Sequence, residues 1–551
     1  MKNFAFILLL GLAILVRSST STFTSSNDEP SYDYFASTEC KSVPEEPLYN
    51  GGIFKNRAVD QIPINSSVFS LNNLKPDTIY TFSSWVKITG QKSALIQTSL
   101  VSGNLTLVNC TGTVLARSGC WTFLKGGFSL DSTIEQARIY FKNEDGLRMN
   151  VSISSASVQP FTIQQWEKNQ QNIIDKERKR STTLHVLSVD GKRLPDAKVI
   201  VEQVTRDFPF GTAISEFILR NPAYQKWFLE RFNTAVFENE LKWNFTEYEQ
   251  GKVNYTVPDK MLDFLRTNQV TARGHNVLWE AEYMVPSWVK NLTSPEQLKS
   301  AVKSRIQSVM SKYEDEFVGW DVDNEMLPWD FYGPRLGPDA SLDFYLAAQE
   351  ASPRARLFMN EFNVMETCDA RCAVDRYVAR LRGLVAGGVR SLGIGLQAHF
   401  TEPNPALIRG TIDKLASFGF PIWMTEVDIS SEFDPQTQAK YLEVVLREGF
   451  SHPSINGIML WMALHPNGEG CYRMCLTDYD FNNLPSGDTV DKLLKEWKTE
   501  KIKGKTDKRG NFNFSGFLGD YELIVTYKNR TSRTRLSLGR GVETKHLNVY
   551  L

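Results

Sequence analysis

The stretch Gly319–Glu325 (GWDVDNE) has the pattern of a short apolar and acidic strand that ends on an Asn-Glu pair. A second run of this kind, Phe420–Asp428 (FPIWMTEVD), carries the glutamate Glu426 near its end. Two glutamates at the ends of two strands can form a paired-carboxylate site, in which one carboxyl stays protonated and the other is ionised. Either glutamate alone is more often a surface carboxylate. The pair therefore supports a catalytic site only if the chain around it forms a barrel.

Eight strand-like runs alternate with amphipathic helical stretches around these two segments. They lie at residues 208–213, 234–237, 270–275, 317–321, 356–360, 392–397, 421–424 and 455–461. Most are separated by room for one helix, which is the βα pattern of a parallel sheet. Eight such units fit a (β/α)8 barrel better than an open doubly wound sheet, and no Gly-rich phosphate loop follows the first strand. The predicted fold class is α/β, with a TIM barrel catalytic domain at residues 205–500.

The chain on both sides of the barrel is rich in short alternating strands. Residues 46–165 predict a β-sandwich module, and residues 166–204 predict a helical connector followed by a β-hairpin that turns at Asp190-Gly191. Residues 505–551 predict a small C-terminal β-rich segment, which we expect to pair with the strands at 182–204. Residues 23–45 are rich in Ser, Thr, Asp and Pro and predict a disordered linker.

Residues 1–22 have the pattern of a secretory signal peptide, with Lys2 ahead of a short apolar run; a signal anchor is the alternative. Secretion agrees with the presence of Asn-x-Ser/Thr glycosylation acceptors and of seven cysteines. The acceptors are Asn65, Asn104, Asn109, Asn150, Asn244, Asn254, Asn291, Asn513 and Asn529. Possible disulfides are the close pairs Cys368 with Cys372 and Cys471 with Cys475, Cys110 with Cys120, and either of these with Cys40. The odd count leaves at least one thiol unpaired.

The composition excludes several function classes. The net charge of −1 and the absence of a long basic block give no electrostatic footprint for nucleic acid. No second Cys or His pair stands at zinc-finger spacing, so no metal site is expected. After signal cleavage no other stretch is long and apolar enough to cross a membrane. We also expect the protein to be a monomer.

Active sites of such barrels lie at the C-terminal ends of the strands. Here those ends carry carboxylates, amides, imidazoles and indoles together, which a rim that only caps helices would not need. The residues are Glu238, Asn239, Lys242, His275, Trp279, Asn324, Glu325, Asn360, Gln397, His399, Glu426 and Trp461. Flat indole rings suit stacking against sugar faces, so this lining predicts a sugar-binding cleft.

Four of these segments carry a family resemblance. Residues 320–325 (WDVDNE) and 425–428 (TEVD) resemble the acid/base and nucleophile strands of glycoside hydrolase family 10, the endo-1,4-β-xylanases. Residues 238–243 (ENELKW) and 273–279 (RGHNVLW) resemble its second and third strand ends, and the tail at 470–478 (GCYRMCLTD) is similar to the plant branch.

The resemblance implies a role for each site residue. Glu325 would be the general acid/base and Glu426 the nucleophile of a retaining reaction, with Asn324 on the sugar 2-hydroxyl and a neutral His399 orienting Glu426 next to Gln397. Carboxyl groups in retaining enzymes lie about 5–5.5 Å apart. The substrate-binding residues would be Glu238, Asn239, Lys242, His275 and Trp279 on the non-reducing side, Trp461 over the cleaved bond, and Tyr472 on the aglycone side. No metal or organic cofactor is required.

This chain also departs from the family pattern. Glu280 replaces a histidine common in the family, and Asp323 adds a carboxyl that is either functional or a packing residue. The N-terminal sandwich resembles a family 22 carbohydrate-binding module, but we expect a strand block between Gly52 and Tyr80 to be missing in it, which would leave an incomplete module. Its aromatic residues, such as Trp85, are more often core than binding platform.

The predicted function is a secreted endo-1,4-β-xylanase that hydrolyses internal bonds of xylan in the plant cell wall. Two alternatives stay open. A xylan transglycosylase would use the same carboxylate pair and differ only in the acceptor, and a non-catalytic wall-binding protein would keep the barrel without turnover.

Overall fold

The sandwich ahead of the barrel consists of two four-stranded antiparallel sheets, with strand orders β1-β8-β3-β6 and β2-β7-β4-β5. Its strands are β1 Phe54–Pro63, β2 Ser66–Leu74, β3 Thr78–Thr89, β4 Ser93–Ser102, β5 Leu105–Arg117, β6 Thr122–Phe128, β7 Ile134–Lys142 and β8 Asn150–Thr162. Phe82, Ile96, Leu124 and Ile139 belong to the apolar core that the two sheets share. The strand block expected to be missing is therefore present as β1 and β2, and each sheet has four strands.

The computed structural model describes residues 29–50, 52–461 and 473–551. The predicted signal peptide, Tyr472 and Cys471 lie outside these residues. Among the described residues, no helix combines the length and the apolar character that a membrane span requires.

The segment before the sandwich is held by specific contacts from residue 32 onward. The Tyr32 hydroxyl donates to Asp413 at 2.6 Å, and the Tyr32 ring packs in an aromatic cluster with Phe161 and Trp166. Cys40 forms a disulfide with Cys120. The expectation of a disordered linker at 23–45 is wrong for residues 32–45. The low apolar content of this segment predicts disorder, but a few aromatic and polar side chains and one cysteine are enough to hold it on the folded protein.

A helix and two strands connect the sandwich to the barrel. They are α1 Ile163–Glu177, β9 Lys179–Leu187 and β10 Lys198–Gln203. Thr162 caps α1 with a reciprocal side-chain and backbone pair to Gln165, which satisfies two free amides of the first turn.

Eight parallel strands form the barrel wall, which confirms the predicted TIM barrel. They are β11 Phe210–Ile214, β12 Thr234–Phe237, β13 Thr271–Arg273, β15 Trp320–Asp321, β17 Leu357–Glu361, β18 Leu392–Leu396, β20 Ile422–Ile429 and β21 Ile455–Leu460. A parallel bridge between Gly274 and Trp320 joins β13 to β15. Three short strands extend the top: β14 Leu278–Trp279 pairs with β16 Asp323–Asn324, and β19 His399–Phe400 pairs with β20.

Helices cover the outside of the barrel. They are α2 Pro222–Arg231, α3 Trp243–Thr246, α4 Thr256–Thr267, α5 Ser287–Lys290, α6 Pro295–Lys312, α7 Gly333–Leu336, α8 Ala340–Ala351, α9 Val374–Ala386, α10 Pro405–Ala416, α11 Pro435–Ser451 and α12 Pro485–Glu496. Four of them begin with a side-chain cap followed by proline, from Asn221, Ser294, Asn404 and Asp434. The cap accepts a free amide of the first turn, and proline is tolerated there because its missing N–H would have no partner.

The C-terminal strands are β22 Ile502–Lys505, β23 Asn511–Phe517, β24 Gly519–Tyr527, β25 Arg530–Leu538 and β26 Lys545–Tyr550. They pair with β9 and β10 in two sheets of order β23-β9-β26 and β22-β10-β24-β25, which confirms the expected pairing with residues 182–204. The predicted hairpin at Asp190-Gly191 forms only next to the turn, where Leu187 and Arg193 make an antiparallel bridge. Beyond it, β9 and β10 separate into different sheets. Leu184, Val199 and Leu523 belong to the core between these sheets.

The sandwich packs directly on helix α10 of the barrel. The Lys125 ammonium lies 2.6 Å from the Asp413 carboxylate with both side chains buried, and His452 Nε2 is 2.9 Å from the other oxygen of Asp413. A Cβ added to Gly127 would lie 2.7 Å from the Ala406 side chain, so the contact leaves no room for a side chain. A disulfide between Cys110 and Cys368 also crosses this interface. The predicted Cys368–Cys372 pair is therefore wrong, and Cys372 is a buried free thiol.

A second buried ion pair joins helix α1 to the barrel. Arg409 donates to both carboxylate oxygens of Glu448 at 2.9 and 3.0 Å, and Glu448 also accepts from Trp166 and Gln170. The Arg409 guanidinium stacks on the Trp166 ring, 3.6 Å from its centroid. Removing one partner of such a pair leaves a buried charge without compensation.

We expect Arg409→Met to lower the free energy of unfolding by roughly 3–5 kcal/mol, because Glu448 then stays buried without its counter-charge. Urea titration followed by tryptophan fluorescence measures this. The matched control is Arg354→Met, which removes an exposed pair with Asp315 and should change the value by under about 0.5 kcal/mol. Equal losses in both variants would show that the buried pair has no special role.

Candidate active site

Glu325 lies at the C-terminal end of the barrel strands, where three side-chain nitrogen atoms donate hydrogen bonds to its carboxylate. Trp279 Nε1 and Trp329 Nε1 donate to one carboxylate oxygen at 2.8 and 3.1 Å, and Gln397 Nε2 donates to the other at 3.1 Å. Burial raises the pKa of Glu325, these donors oppose the rise, and the charge of Glu426 adds to it. Glu325 therefore tends to hold a proton, as a general acid must.

Glu426 lies in the opposite electrostatic environment. Asn360 Nδ2 donates to its Oε1 at 2.8 Å, His399 Nε2 lies 3.5 Å from its Oε2, and His275 Nδ1 lies 3.9 Å from its Oε1. Burial works to raise the pKa of Glu426, but His275, His399 and Asn360 together lower it to about 2. The pKa of Glu426 is therefore lowered while that of Glu325 is raised. Two carboxyl groups whose pKa values are shifted apart in this way are typical of an acid and its partner base or nucleophile.

His399 is held between two carboxylates. Its Nδ1 lies 3.0 Å from Asp428 Oδ2, and Arg473 Nε donates to the other oxygen of Asp428 at 2.7 Å. Burial works to lower the pKa of His399, but Asp428 and Glu426 raise it well above its usual value. The two flanking carboxylates therefore favour the imidazolium form of His399, whereas the sequence predicts a neutral ring, because the sequence does not reveal that two carboxylates flank it.

Asn324 and Asn360 connect the two glutamates. Asn360 Nδ2 also donates to Asn324 Oδ1 at 2.9 Å, and Asn360 Oδ1 accepts from the Thr425 hydroxyl at 2.5 Å. The Nδ2 of Asn324 is buried and has no hydrogen-bond partner among the described residues. It remains available to donate to a ligand hydroxyl beside Glu426.

A second group of predicted residues forms one side of the cleft. Lys242 Nζ donates to Asn239 Oδ1 at 2.8 Å, and Asn239 Nδ2 donates to Glu238 Oε1 at 3.2 Å. The Lys242 ammonium lies 4.8 Å from the Trp279 ring centroid and 5.8 Å from that of Trp461. Burial lowers the pKa of Lys242, although Glu426, Glu238 and Glu325 oppose the shift. A cation, an amide and two indoles therefore converge on one side, as a sugar-binding wall requires.

His275 belongs to the layer beneath this wall. Its side chain is buried, its Nδ1 lies 3.0 Å from Asp321 Oδ2, and its ring packs edge-to-face on Trp461 at 5.3 Å. Arg273 Nη2 donates to the other oxygen of Asp321 at 2.7 Å. The structure therefore brings together every predicted site residue that it describes. Tyr472 stays a prediction.

Asp323 and Glu280 lie outside the cleft. Asp323 is fully buried, and burial raises its pKa to about 7. Glu280 accepts from the Tyr332 amide at 2.9 Å, and burial together with Asp323 raises its pKa to about 9. This favours the packing role of Asp323 over a role in contact with substrate.

The sequence missed the residues that support the glutamates. Asn360 lies at a predicted strand end, but no sequence pattern gives it a role, although it contacts both Asn324 and Glu426. The sequence does not identify Trp329, Asp428 or Arg473 as supporting residues either. Trp329 stands four residues after Glu325 in a loop, and no periodic pattern places its indole on that carboxylate.

Comparison with known proteins agrees with this geometry. The family model described as "Glycosyl hydrolase family 10" matches residues 200–467, which include both glutamates. The Arabidopsis thaliana protein named endo-1,4-beta-xylanase 4 is 34% identical over 544 residues, covering 94% of each chain. The chain belongs to glycosyl hydrolase family 10. A second Arabidopsis thaliana relative, named endo-1,4-beta-xylanase 5-like, is 37% identical over 440 residues and covers 79% of this chain and 76% of its own.

Solved family 10 structures cover only part of the chain. Xylanase 10B from Thermotoga petrophila RKU-1, solved in complex with xylobiose, is 22% identical and covers 53% of this chain and 94% of its own, with a TM-score of 0.48.

Replacing each family 10 glutamate by glutamine should change stability in opposite directions. The raised pKa of Glu325 means that its ionisation costs stability above the unfolded-state pKa near 4.3, so Glu325→Gln should stabilise at pH 7. The lowered pKa of Glu426 contributes stability above that same pKa, which is lost as the pH falls towards about 2. Glu426→Gln should therefore destabilise at pH 7, by about 3 kcal/mol.

Urea unfolding of both variants at pH 7 and pH 4 measures these changes. The gain in Glu325→Gln should shrink at pH 4, where the unfolded carboxyl is also largely protonated. Changes of the same sign in the two variants at pH 7 would contradict the opposite protonation states.

Proposed function

We propose that the protein is a secreted endo-1,4-β-xylanase that hydrolyses internal bonds of cell-wall xylan with retention of configuration. The observation that carries the proposal is the pair of buried strand-end glutamates in unlike surroundings: indole and amide nitrogens donate to Glu325, whereas Asn360 and His399 contact Glu426. The names of the Arabidopsis relatives support the substrate and the bond type. The signal-like N-terminus and the disulfides Cys40–Cys120 and Cys110–Cys368 support an oxidising, extracellular location.

In the first step a carboxylate oxygen of Glu426 attacks the anomeric carbon of the sugar on the non-reducing side. The bond from that carbon to the glycosidic oxygen breaks, and Glu325 donates its proton to the departing oxygen. The products are a covalent glycosyl ester on Glu426 and a shortened chain with a free hydroxyl. Asn324 Nδ2 would donate to the 2-hydroxyl, where a hydrogen bond strengthens as the ring carbon becomes positive.

In the second step Glu325, now ionised, removes a proton from a water molecule. The water oxygen attacks the same anomeric carbon from the opposite face, and the bond to Glu426 breaks. Glu426 returns to its carboxylate form because its neighbours favour the charge. The imidazolium of His399 and the Asn360 amide hold this carboxylate throughout, so the nucleophile needs little reorganisation between steps.

The proposal predicts that the protein releases reducing ends from xylan. It also predicts that replacing Glu325 and replacing Glu426 reduce activity in different ways. Glu426→Ala should lose activity by at least roughly 10⁴-fold, since no covalent intermediate can form. Glu325→Ala should lose it on xylan but keep the first step on an aryl β-xylobioside, whose leaving group needs no proton. Azide should then speed turnover of Glu325→Ala and give the β-glycosyl azide.

Product analysis by NMR separates the alternatives. Hydrolysis gives the β-anomer first, whereas a transglycosylase gives longer oligosaccharides from added xylo-oligomers. Absence of reducing ends and of transfer products from the parent protein would leave the non-catalytic alternative. Inversion at the anomeric carbon, or unchanged activity in Glu426→Ala, would contradict the proposed mechanism.

A further inference from the structure

Two positions of the active-site backbone have a left-handed conformation that side chains other than glycine rarely adopt. Glu325 has φ 58° and Ala398, which precedes His399, has φ 71°. A non-glycine residue in this region persists only when its surroundings hold it there. What holds these two turns therefore determines where Glu325 and His399 lie.

Two buried glutamates hold the turns: Glu361 at the end of strand β17 and Glu366 in the loop that follows it. The Glu361 carboxylate accepts from the amides of Met326 and Leu327 at 3.0 and 3.2 Å, directly after Glu325. One carboxylate oxygen of Glu366 accepts from the amides of Ala398 and His399 at 3.0 and 3.1 Å. Each carboxylate thus satisfies two neighbouring amides, which are otherwise costly to bury. Glu366 places the backbone from which the His399 ring reaches Glu426.

The segment that carries Glu366 is fastened to the N-terminal sandwich. Cys368, two residues after Glu366, is bonded to Cys110 of strand β5, with Cα atoms 5.6 Å apart. Close by, Lys414 Nζ lies 3.0 Å from the Asp375 carboxylate and 3.3 Å from the Thr113 carbonyl oxygen, also on β5. These contacts join one sandwich strand to helices α9 and α10 and to the loop ahead of α9.

The sandwich cannot move freely as a separate module. Its strand β6 lies on helix α10 at Gly126 and Gly127, and the Lys125–Asp413 pair is buried in the contact. A mobile targeting module needs a solvent-exposed linker and few crossing contacts. This interface has close backbone packing, a buried ion pair and a disulfide instead.

We propose that the sandwich is a positioning element of the active site: the Cys110–Cys368 bond fixes the loop of Glu366, and Glu366 holds His399 against Glu426. The proposal rests on the proposed function for its assay. Cys110, Cys368 and Glu366 touch no substrate and act only through His399.

Loss of this support has a defined consequence. If the Glu366 loop relaxes, the Ala398 turn relaxes with it and His399 withdraws from Glu426. The other titratable groups that face Glu426 are Lys242, His275 and Glu325, and they lie on other strands and loops. Substrate contacts at Asn239, Lys242 and Trp279 stay in place, so kcat should fall while KM changes little.

The disulfide test compares two double variants of the full chain. Cys110→Ser with Cys368→Ser removes the bond to the Glu366 loop. Cys40→Ser with Cys120→Ser removes a bond between the N-terminal segment and the sandwich and serves as the control. The first should lower kcat on xylan by about tenfold or more, since small misplacement of catalytic groups costs up to about 100-fold. The control should stay within about twofold of the parent, because it leaves the geometry of the site unchanged.

The glutamate test separates positioning from folding. Glu366→Leu removes the acceptor and should lower kcat and move the acidic limb of kcat/KM to higher pH, because Glu426 loses the His399 donor. Glu366→Gln keeps an acceptor oxygen for both amides and should recover most of kcat and the parental pH profile. Circular dichroism confirms that the assayed variants are folded.

The result that would overturn the proposal is a folded Cys110/Cys368 or Glu366→Leu variant with parental kcat and pH profile. Equal loss in both disulfide variants would also overturn it. An inactive parent would instead contradict the proposed function, so the two failures are distinguishable.

Discussion

The unequal environments of two buried glutamates are the constraint on which the rest of the structure depends. Glu325 is buried among indole and amide donors, so its proton is favoured. Glu426 is buried against an imidazolium, a second histidine and the Asn360 amide, so its charge is favoured. The same fold has to provide both environments side by side.

Each buried charged group around the two glutamates needs a neighbouring group of opposite charge. His399 remains charged because Asp428 lies on its far side, and Asp428 in turn is held by Arg473. His275 contacts Asp321, whose second oxygen is taken by Arg273. In both chains a buried aspartate is paired with an arginine, Asp428 with Arg473 and Asp321 with Arg273, so neither carboxylate is left without a counter-charge. The left-handed turns at Glu325 and Ala398 are held in a similar way, by carboxylates that accept pairs of backbone amides.

Much of the barrel, and the pair Glu325 and Glu426, could be predicted from the sequence, because local sequence patterns indicate both. The eight strand runs, the strand-end glutamates and the pairing of the C-terminal strands with residues 182–204 follow from periodicity and turn chemistry. The supporting contacts depend on distances between remote segments. Cys110 and Cys368 are separated by 258 residues, and the local spacing of Cys368 and Cys372 favoured the wrong pair. The charge of His399 and the order at Tyr32 likewise come from partners that only the folded chain brings near.

The most direct measurement of the central claim is covalent trapping of the nucleophile. An aryl 2-deoxy-2-fluoro-β-xylobioside slows both steps but keeps a good leaving group, so the glycosyl ester should accumulate. Mass spectrometry of the intact protein should then show the addition of one 2-fluoroxylobiosyl unit, and peptide mapping should place it on Glu426. An adduct on Glu325 or another residue, or turnover without any adduct, would contradict the assignment of the ionised glutamate as the nucleophile.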